Sequence, residues 1–205
     1  MSFVLSVRGG NFAIMMSDGR VNRSDDKRVA GETFQKVFQL NEKVCLGITG
    51  DPLTVYYALN ELNTYNLEQM TMERIKRILT KAVKEAPVER FGVEFLLSGS
   101  NKSGRYVTYS VNTKRDPEEL LFDSMDSQGF GIVYTGSQLP QIQKIVDKHI
   151  PGGKVWESLG EIRDHMEACI KEIASVDDSV NDTVFDVMVV ERPKEGRKLV
   201  MMDGI

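Results

Sequence analysis

The sequence predicts an α+β protein in which two stacked, mainly antiparallel β-sheets lie between two pairs of helices, a four-layer αββα sandwich. The predicted strands come in hairpins and the predicted helices in pairs, in the order β-β-β-β, α-α, β-β-β-β, α-α, β-β. A doubly wound parallel sheet would instead require strict alternation of strands and helices. Several strands are apolar on consecutive residues, as at 12–16 and 187–190, which indicates burial on both faces.

The first four strands form two hairpins, each closed by residues that favour turns. The turns are Gly9-Gly10-Asn11 and Asn41-Glu42, and the polar stretch 19–31 between the hairpins predicts a loop that holds at most a short strand. The predicted strands cover residues 2–8, 12–18, 33–40 and 43–50.

Apolar residues then recur with helical spacing, first from Pro52 and again from Thr71. The second of these helices ends before Pro87, because a residue that precedes proline disfavours the helical conformation. The four predicted helices cover residues 52–66, 71–86, 138–149 and 157–175. The remaining predicted strands cover residues 92–100, 105–112, 119–124, 130–136, 183–192 and 197–203. No linker, repeat or low-complexity segment divides the chain, so residues 1–205 form one predicted domain.

The composition argues against several functional classes. A net charge of -4 without any basic block argues against a nucleic-acid partner. The absence of a long apolar run or a secretory signal argues against a membrane partner and predicts a cytoplasmic location. Cys45 and Cys169 occur in apolar patterns and are expected to pack as reduced thiols. His149 and His165 have no cysteine or acidic residue at ligand spacing, so no metal and no other cofactor is expected.

The N-terminal stretch SFVLSVRGGNFAIMMSDGR begins with a small hydroxyl residue and ends in Asp-Gly-Arg. With the order of elements, it resembles the proteasome β-subunit fold of the N-terminal nucleophile hydrolases, and the peptidase subunit of the bacterial heat-shock-locus ATP-dependent protease. In that family the mature chain starts with a nucleophilic hydroxyl residue, nearly always threonine. Placing Ser2 at this position puts Asp18 on the family's aspartate and Arg20 on its arginine without a gap.

The resemblance assigns two more positions to the reaction itself. Lys36, in Lys-Val-Phe-Gln-Leu, falls on the family's lysine. Gly50 falls on the glycine whose N–H forms the oxyanion hole, with Gly47 as the alternative register.

Four further residues take supporting positions in the family pattern. Thr135, followed by Gly136, stands where the family has a serine before its third helix. Asp178 and Asn181 stand where the family supports its N-terminus, with Asn181 in place of a serine.

The resemblance implies an amidase in which one residue supplies both nucleophile and base. Once Met1 is removed, the α-amine of Ser2, with an ordinary pKa of about 7.7–8.0, would take the proton of the hydroxyl. The Lys36 ammonium would favour the alkoxide, Asp18 would balance that ammonium, and the Gly50 N–H would face the oxyanion. Serine lacks the β-methyl group that restricts threonine to few rotamers, so Ser2 is expected to be a less well-positioned nucleophile than threonine.

Each residue also has a purely structural interpretation. Asp18 could be a turn former, Lys36 an exposed strand lysine, and Gly50-Asp51-Pro52 the start of a helix. Thr135-Gly136-Ser137 could be an N-cap region.

Three functions therefore stay open. The first is a peptidase with a serine nucleophile, acting on peptides or unfolded proteins as a homo-oligomer that could form a ring and work with an ATP-dependent unfoldase. Exposed apolar helix faces, including Met70, Met72, Tyr56 and Tyr57, would contribute to such an assembly unless these residues pack in the core. The second is a non-catalytic structural or assembly subunit that keeps Met1, and the third is an amidase for small amides.

Overall fold

In the computed structural model, the described part of the chain covers residues 3–22, 28–86, 92–113, 119–123 (backbone only), 130–136 and 139–191. Two β-sheets dominate this part. The strands of the first sheet are β1 (Val4–Arg8), β2 (Phe12–Asp18), β10 (Gly131–Thr135) and β11 (Val184–Val190), which lie in the order β10-β1-β2-β11. The strands of the second sheet are β5 (Val37–Asn41), β6 (Val44–Gly50), β7 (Val93–Ser100), β8 (Tyr106–Asn112) and β9 (Glu119–Asp123), which lie side by side in chain order.

Every strand pair in these sheets is antiparallel. The predicted hairpins β1–β2 and β5–β6 are therefore confirmed. The polar stretch after β2 holds two short paired strands, β3 (Val21–Asn22) and β4 (Val29–Gly31), where the sequence predicted one at most.

Four α-helices lie where the periodicity predicted them. They are α1 (Pro52–Asn63), α2 (Met72–Glu85), α3 (Ile142–His149) and α4 (Leu159–Ala174), and a short 3-10 helix, Leu67–Gln69, precedes α2. Helix α3 begins at Ile142, later than predicted, because Leu139 precedes Pro140 and a residue before proline disfavours the helical conformation. Leu139, assigned from the sequence to its apolar stripe, is 37% exposed.

Buried apolar side chains form three clusters. One joins α1 and α2 to the second sheet, with Leu46, Leu79 and Phe95 among its members. Another joins α3 and α4 to the first sheet, and a third, which includes Val4 and Leu96, contains side chains from both sheets. No helix in the described part of the chain is long and apolar enough to cross a membrane.

Three expectations need correction. Met70 and Met72 are buried in the cluster under α1 and α2, so these side chains cannot contribute to an exposed face, whereas Tyr56 is 66% exposed. Strand β11 is not buried on both faces: Met188 is 36% exposed, since β11 lies at the edge of the described sheet. The strand predicted at 33–40 begins only at Val37.

The two cysteines occupy different clusters and are free thiols, as expected. Burial raises the pKa of both thiols to about 12. At neutral pH both are therefore protonated packing residues rather than nucleophiles. The predicted strand at 197–203 lies outside the described residues, as do Met1, Ser2 and Ser137.

Candidate active site

Asp18 ends β2 beside the start of β1, and its carboxylate collects three hydrogen bonds. The Phe3 N–H donates to Oδ1 at 2.8 Å, and the Arg20 N–H donates to Oδ2 at 2.8 Å. The third donor is the Lys36 ammonium, with Nζ at 2.6 Å from Oδ1. Because Phe3 N and Lys36 Nζ bind the same oxygen, Asp18 brings this ammonium next to the first described residue of the chain.

Lys36 reaches this position because its main chain is tied to the neighbouring strand. Its carbonyl accepts the Ile48 N–H of β6 at 2.9 Å, and its side chain then turns inward. The side chains of Lys36 and Asp18 are 2% and 0% exposed, so this is a fully buried ion pair. Burial lowers the pKa of Lys36, Asp18 opposes that change, and the nearby Arg20 cation lowers the pKa further.

A second set of contacts holds the turn that follows Asp18. Arg20 donates from Nη1 to the carbonyl oxygen of Asp178 at 2.6 Å and forms an ion pair with Glu32 at 3.2 Å. Asn181 accepts the Gly19 N–H at 2.8 Å and donates to the Glu32 carboxylate at 2.6 Å. The hydrogen bond from Arg20 is the largest influence that lowers the pKa of Glu32. These contacts therefore join the chain after β2 to the segment before β11.

Gly50 ends β6 with a φ of 109°, a conformation that L residues with side chains rarely adopt. A Cβ there would lie 2.1 Å from the carbonyl oxygen of Gly92. Gly47 is close-packed for another reason, because its Cβ would lie 2.6 Å from a methyl group of Val4 in the opposite sheet. Asp51 follows Gly50 and caps α1 by accepting the Thr54 N–H at 2.9 Å.

A cavity of about 260 Å³ opens beside Lys36 and Gly50. Its wall is mostly apolar, with Lys36 and Thr49 as polar members. The apolar side chains in the wall are Val21, Phe34, Ile48, Val55, Tyr56 and Leu59. The arrangement can therefore accept an apolar group next to a buried cation.

Behind this cavity, a polar cluster connects the two sheets. Glu94 accepts hydrogen bonds from the Thr135 hydroxyl and, at 2.7 Å, from the Ser110 hydroxyl. The hydroxyls of Thr135 and Thr49 are 3.3 Å apart, and Asn112 donates to Ser110 at 3.2 Å. Glu94 is thus the acceptor at the centre of the cluster.

A separate cleft of about 290 Å³ lies beside α4 and is lined largely by charged residues, including the ion pair between Arg163 and Asp186. It contains none of the predicted site residues. Among the described residues, no group of three or more histidine, cysteine, aspartate or glutamate side chains is arranged to hold a metal ion.

The first half of the chain decides the family. Residues 2–114 match the family model described as Proteasome, proteasome subunit. The chain belongs to the proteasome subunit family. This stretch carries β1 to β8 of the proteasome-like fold, including the buried pair of Asp18 and Lys36.

Solved structures of proteasome-like proteins share the fold over most of the chain. Eukaryotic HslV from Trypanosoma brucei is 15% identical with a TM-score of 0.61, and the match covers 92% of this chain and 99% of that one. The Anbu complex from Pseudomonas aeruginosa is 14% identical with a TM-score of 0.69, covering 92% and 81%. Anbu, ancestral beta-subunit, from Yersinia bercovieri is 16% identical with a TM-score of 0.68, covering 92% and 81%. No curated protein sequence matches the chain.

The structure places most of the predicted site residues near one end of the two sheets. Asp18 and Lys36 are in direct contact, and Lys36 and Gly50 line one cavity. Arg20 contacts Asp18 through its main chain and Asp178 through its side chain, whereas the described contacts of Asn181 are with Gly19 and Glu32. The side chain of Thr135 is directed to Glu94, and Gly136 follows with a φ of 113°.

Sequence reasoning missed three residues of this region: Glu32, Thr49 and Glu94. Glu94 had a signal, since it is the one charged residue in the otherwise apolar and small strand VEFLLSGS. Glu32 and Thr49 had none, because their partners are distant in sequence.

Proposed function

We propose that the chain is a peptide-bond hydrolase of the proteasome-like type, in which Ser2 is the nucleophile after Met1 is removed. The observation that carries the proposal is the buried Lys36 ammonium, bound to the same Asp18 oxygen as the Phe3 N–H. A buried cation beside the N-terminal strand would lower the pKa of a neighbouring amine and favour an alkoxide. The three apolar clusters support the four-layer αββα arrangement of the whole domain.

In the proposed reaction the Ser2 oxygen attacks the carbonyl carbon of the scissile peptide bond. Its proton passes to the α-amine of Ser2 and then to the departing amine as the C–N bond breaks, which leaves an ester on Ser2. Water, activated by the same amine, hydrolyses that ester and restores the hydroxyl. Lys36 stabilises the alkoxide, and Asp18 keeps Lys36 charged and in place.

The remaining predicted residues take supporting roles in this proposal. The Gly50 N–H stabilises the oxyanion, a contact typically worth about 3 kcal/mol. Arg20, with Asp178 and Asn181, holds the turn after Asp18, while Thr135 and Gly136 line the neighbouring strand end.

The apolar cavity gives the proposal a substrate preference. A side chain that occupies a cavity of about 260 Å³ lined by Ile48, Val55 and Leu59 is favoured when it is large and apolar. We therefore expect cleavage after large apolar residues of peptides or unfolded proteins, rather than hydrolysis of small amides.

A homo-oligomer is the assembly that we propose. Three large apolar side chains are exposed: Phe34 at 50% and Tyr56 at 66% in the cavity wall, and Leu53 at 65% in α1. Burying them against a second copy would remove apolar area from water. The Pseudomonas aeruginosa neighbour was solved as a helical assembly, which is consistent with association of such chains.

The decisive experiment is intact-mass measurement of the protein from its native host, followed by incubation with a β-lactone. Loss of Met1 and a single adduct on Ser2, absent from Ser2→Ala, are the expected results. Retention of Met1 on all molecules would rule out the hydrolase and leave a structural or assembly subunit. Loss of Met1 without an adduct, and with equal peptidase activity in Ser2→Ala, would leave the same alternative.

A further inference from the structure

The polar cluster around Glu94 is not explained by the proposed roles. Thr49, Glu94 and Asn112 stand side by side on β6, β7 and β8, because Thr49 pairs with Glu94 and Glu94 pairs with Asn112. The row faces the first sheet, from which Thr135 supplies its hydroxyl. Thr49 and Thr135 are each 7% exposed and Ser110 is 0% exposed, so these hydroxyls depend on protein partners.

The donor and the acceptor of each hydroxyl hydrogen bond in this cluster are fixed by the Glu94 carboxylate. A carboxylate accepts hydrogen bonds without donating, so the Thr135 and Ser110 hydroxyls both give their proton to Glu94. A hydroxyl has one proton, so in the pair of Thr49 and Thr135 it is Thr49 that donates. Glu94 therefore fixes the orientation of both threonine hydroxyls and leaves their lone pairs as acceptors.

These acceptors lie next to the beginning of β1. Thr135 pairs directly with Val4, and Thr49 precedes Gly50 in the cavity wall that also contains Lys36. Val4 packs between the sheets, so the face of β1 that carries Val4 also faces these hydroxyls. At the start of the same strand, Asp18 binds both the Phe3 N–H and the Lys36 ammonium.

We propose that Glu94 is a positioning residue that orients the hydroxyls of Thr135 and Thr49 as acceptors for the N-terminal amine of the proposed nucleophile. This inference rests on the proposed function. An oriented acceptor directs the lone pair of the amine toward the hydroxyl of its own residue, which is the geometry that proton transfer needs. The Glu94 charge also stabilises the protonated amine and so raises its pKa.

Glu94→Gln tests this role while keeping the size of the side chain. The amide donates as well as accepts, so the two hydroxyls lose their single orientation. We expect the limiting rate of β-lactone labelling to fall about tenfold with half-saturation changed less than about twofold. We also expect a shift in the pH profile of the labelling rate, whose acid limb reports protonation of the amine. Loss of a nearby negative charge lowers the pKa of the amine, so the acid limb should move about half a pH unit or more toward lower pH.

Ser110→Ala is the matched control, since it removes the other hydroxyl bound to the same carboxylate. It keeps the Glu94 charge and the two threonines, so its acid limb should coincide with that of the unaltered protein. Thr135→Val should slow labelling as Glu94→Gln does, and Thr135→Ser should restore it. If Glu94→Gln does not fold, Glu94→Asp retains the charge with a shorter reach and should slow labelling without moving the acid limb.

The outcomes separate this inference from the proposed function. The inference is overturned if the unaltered protein is labelled on Ser2 but the acid limb of Glu94→Gln lies at the same pH as that of Ser110→Ala. Glu94 would then only join the two sheets. If the unaltered protein is never labelled after Met1 is lost, the hydrolase and the role of Glu94 are both overturned. A shift of the acid limb in Glu94→Gln, with no shift in Ser110→Ala, supports the positioning role.

Discussion

The buried ion pair between Lys36 and Asp18 is the strongest single contact at the candidate site. Removing one member leaves the other charge buried without its partner, which in other buried pairs costs about 3–5 kcal/mol. We expect Lys36→Met to lower the free energy of unfolding by this amount, measured by denaturant titration. Lys81→Ala, which breaks an exposed pair with Glu85 at 3.9 Å, should change it by less than about 0.5 kcal/mol.

The double variant Lys36→Met with Asp18→Asn distinguishes two causes of destabilisation: a buried Asp18 charge without its partner, and the loss of the contact between the two side chains. It removes both charges, so we expect it to be more stable than Lys36→Met alone. Equal stability of the two variants would show that the Asp18 charge is well satisfied by the N–H groups of Phe3 and Arg20.

The titration of Lys36 makes a prediction about alkaline pH. Burial lowers its pKa below the ordinary 10.5, so the ammonium is lost at a lower pH than in an exposed lysine. Proposed activity that needs this ammonium should therefore decline as pH rises through a value below 10.5. Over the same interval the unfolded chain binds more protons than the folded one, so stability should rise with pH.

Steady-state rates and circular dichroism over the same pH series test this prediction. A decline in rate with an unchanged spectrum is the expected result. A rate that stays constant beyond pH 10.5 would show that the Lys36 ammonium is not required.

At the scale of single elements, the start of α1 connects helix stability to the site. Asp51 is 6% exposed and caps the helix through Thr54, directly after Gly50. We expect Asp51→Ala to cost about 0.5–2 kcal/mol by thermal or chemical unfolding, and Asp51→Asn to retain most of that energy. Because the cap adjoins Gly50, Asp51→Ala should also slow β-lactone labelling.

Thr71 offers the control for this cap. It caps α2 by the same kind of contact, from Arg74 N–H at 3.4 Å, but it is exposed and is not part of the cavity wall. Thr71→Ala should therefore lower stability without slowing labelling. Equal labelling rates for Asp51→Ala and Thr71→Ala would contradict a link between the cap and the site.

At the scale of the whole molecule, the separation of the two sheets depends on small residues between them. A methyl group on Gly47 would lie 2.6 Å from Val4, so Gly47→Ala should push the sheets apart. We expect this overpacking to lower the free energy of unfolding by about 1–3 kcal/mol. We expect a lower midpoint of thermal unfolding for this variant. Gly152→Ala, where a Cβ meets nothing within 4 Å, should leave the midpoint nearly unchanged.

A compensating change tests whether the contact with Val4 is responsible. Val4→Ala frees space next to Gly47, so the double variant should be more stable than the sum of the two single changes predicts. If the changes in free energy of unfolding of the two single variants simply add, the destabilisation by Gly47→Ala does not come from its contact with Val4.

Several features of the molecule could be predicted from the sequence because they depend on residues that are neighbours along the chain. Short apolar runs closed by turn residues predicted the hairpins β1–β2 and β5–β6, and the helical spacing of apolar residues predicted the helix pairs. Resemblance to a family then predicted Asp18 and Lys36 as members of one site. Element ends were predicted less well, as at Val37, because they depend on contacts with other strands.

The sequence by itself determined the order of elements and which polar residues interrupt apolar strands, since both are properties of adjacent positions. Only the tertiary structure decided that Asp18 Oδ1 is shared by Phe3 and Lys36, and that Asn181 reaches back to Gly19. It also decided that Glu94 orients hydroxyls from both sheets. These partners are far apart along the chain, and sheet stacking, which no local pattern encodes, is what brings them together.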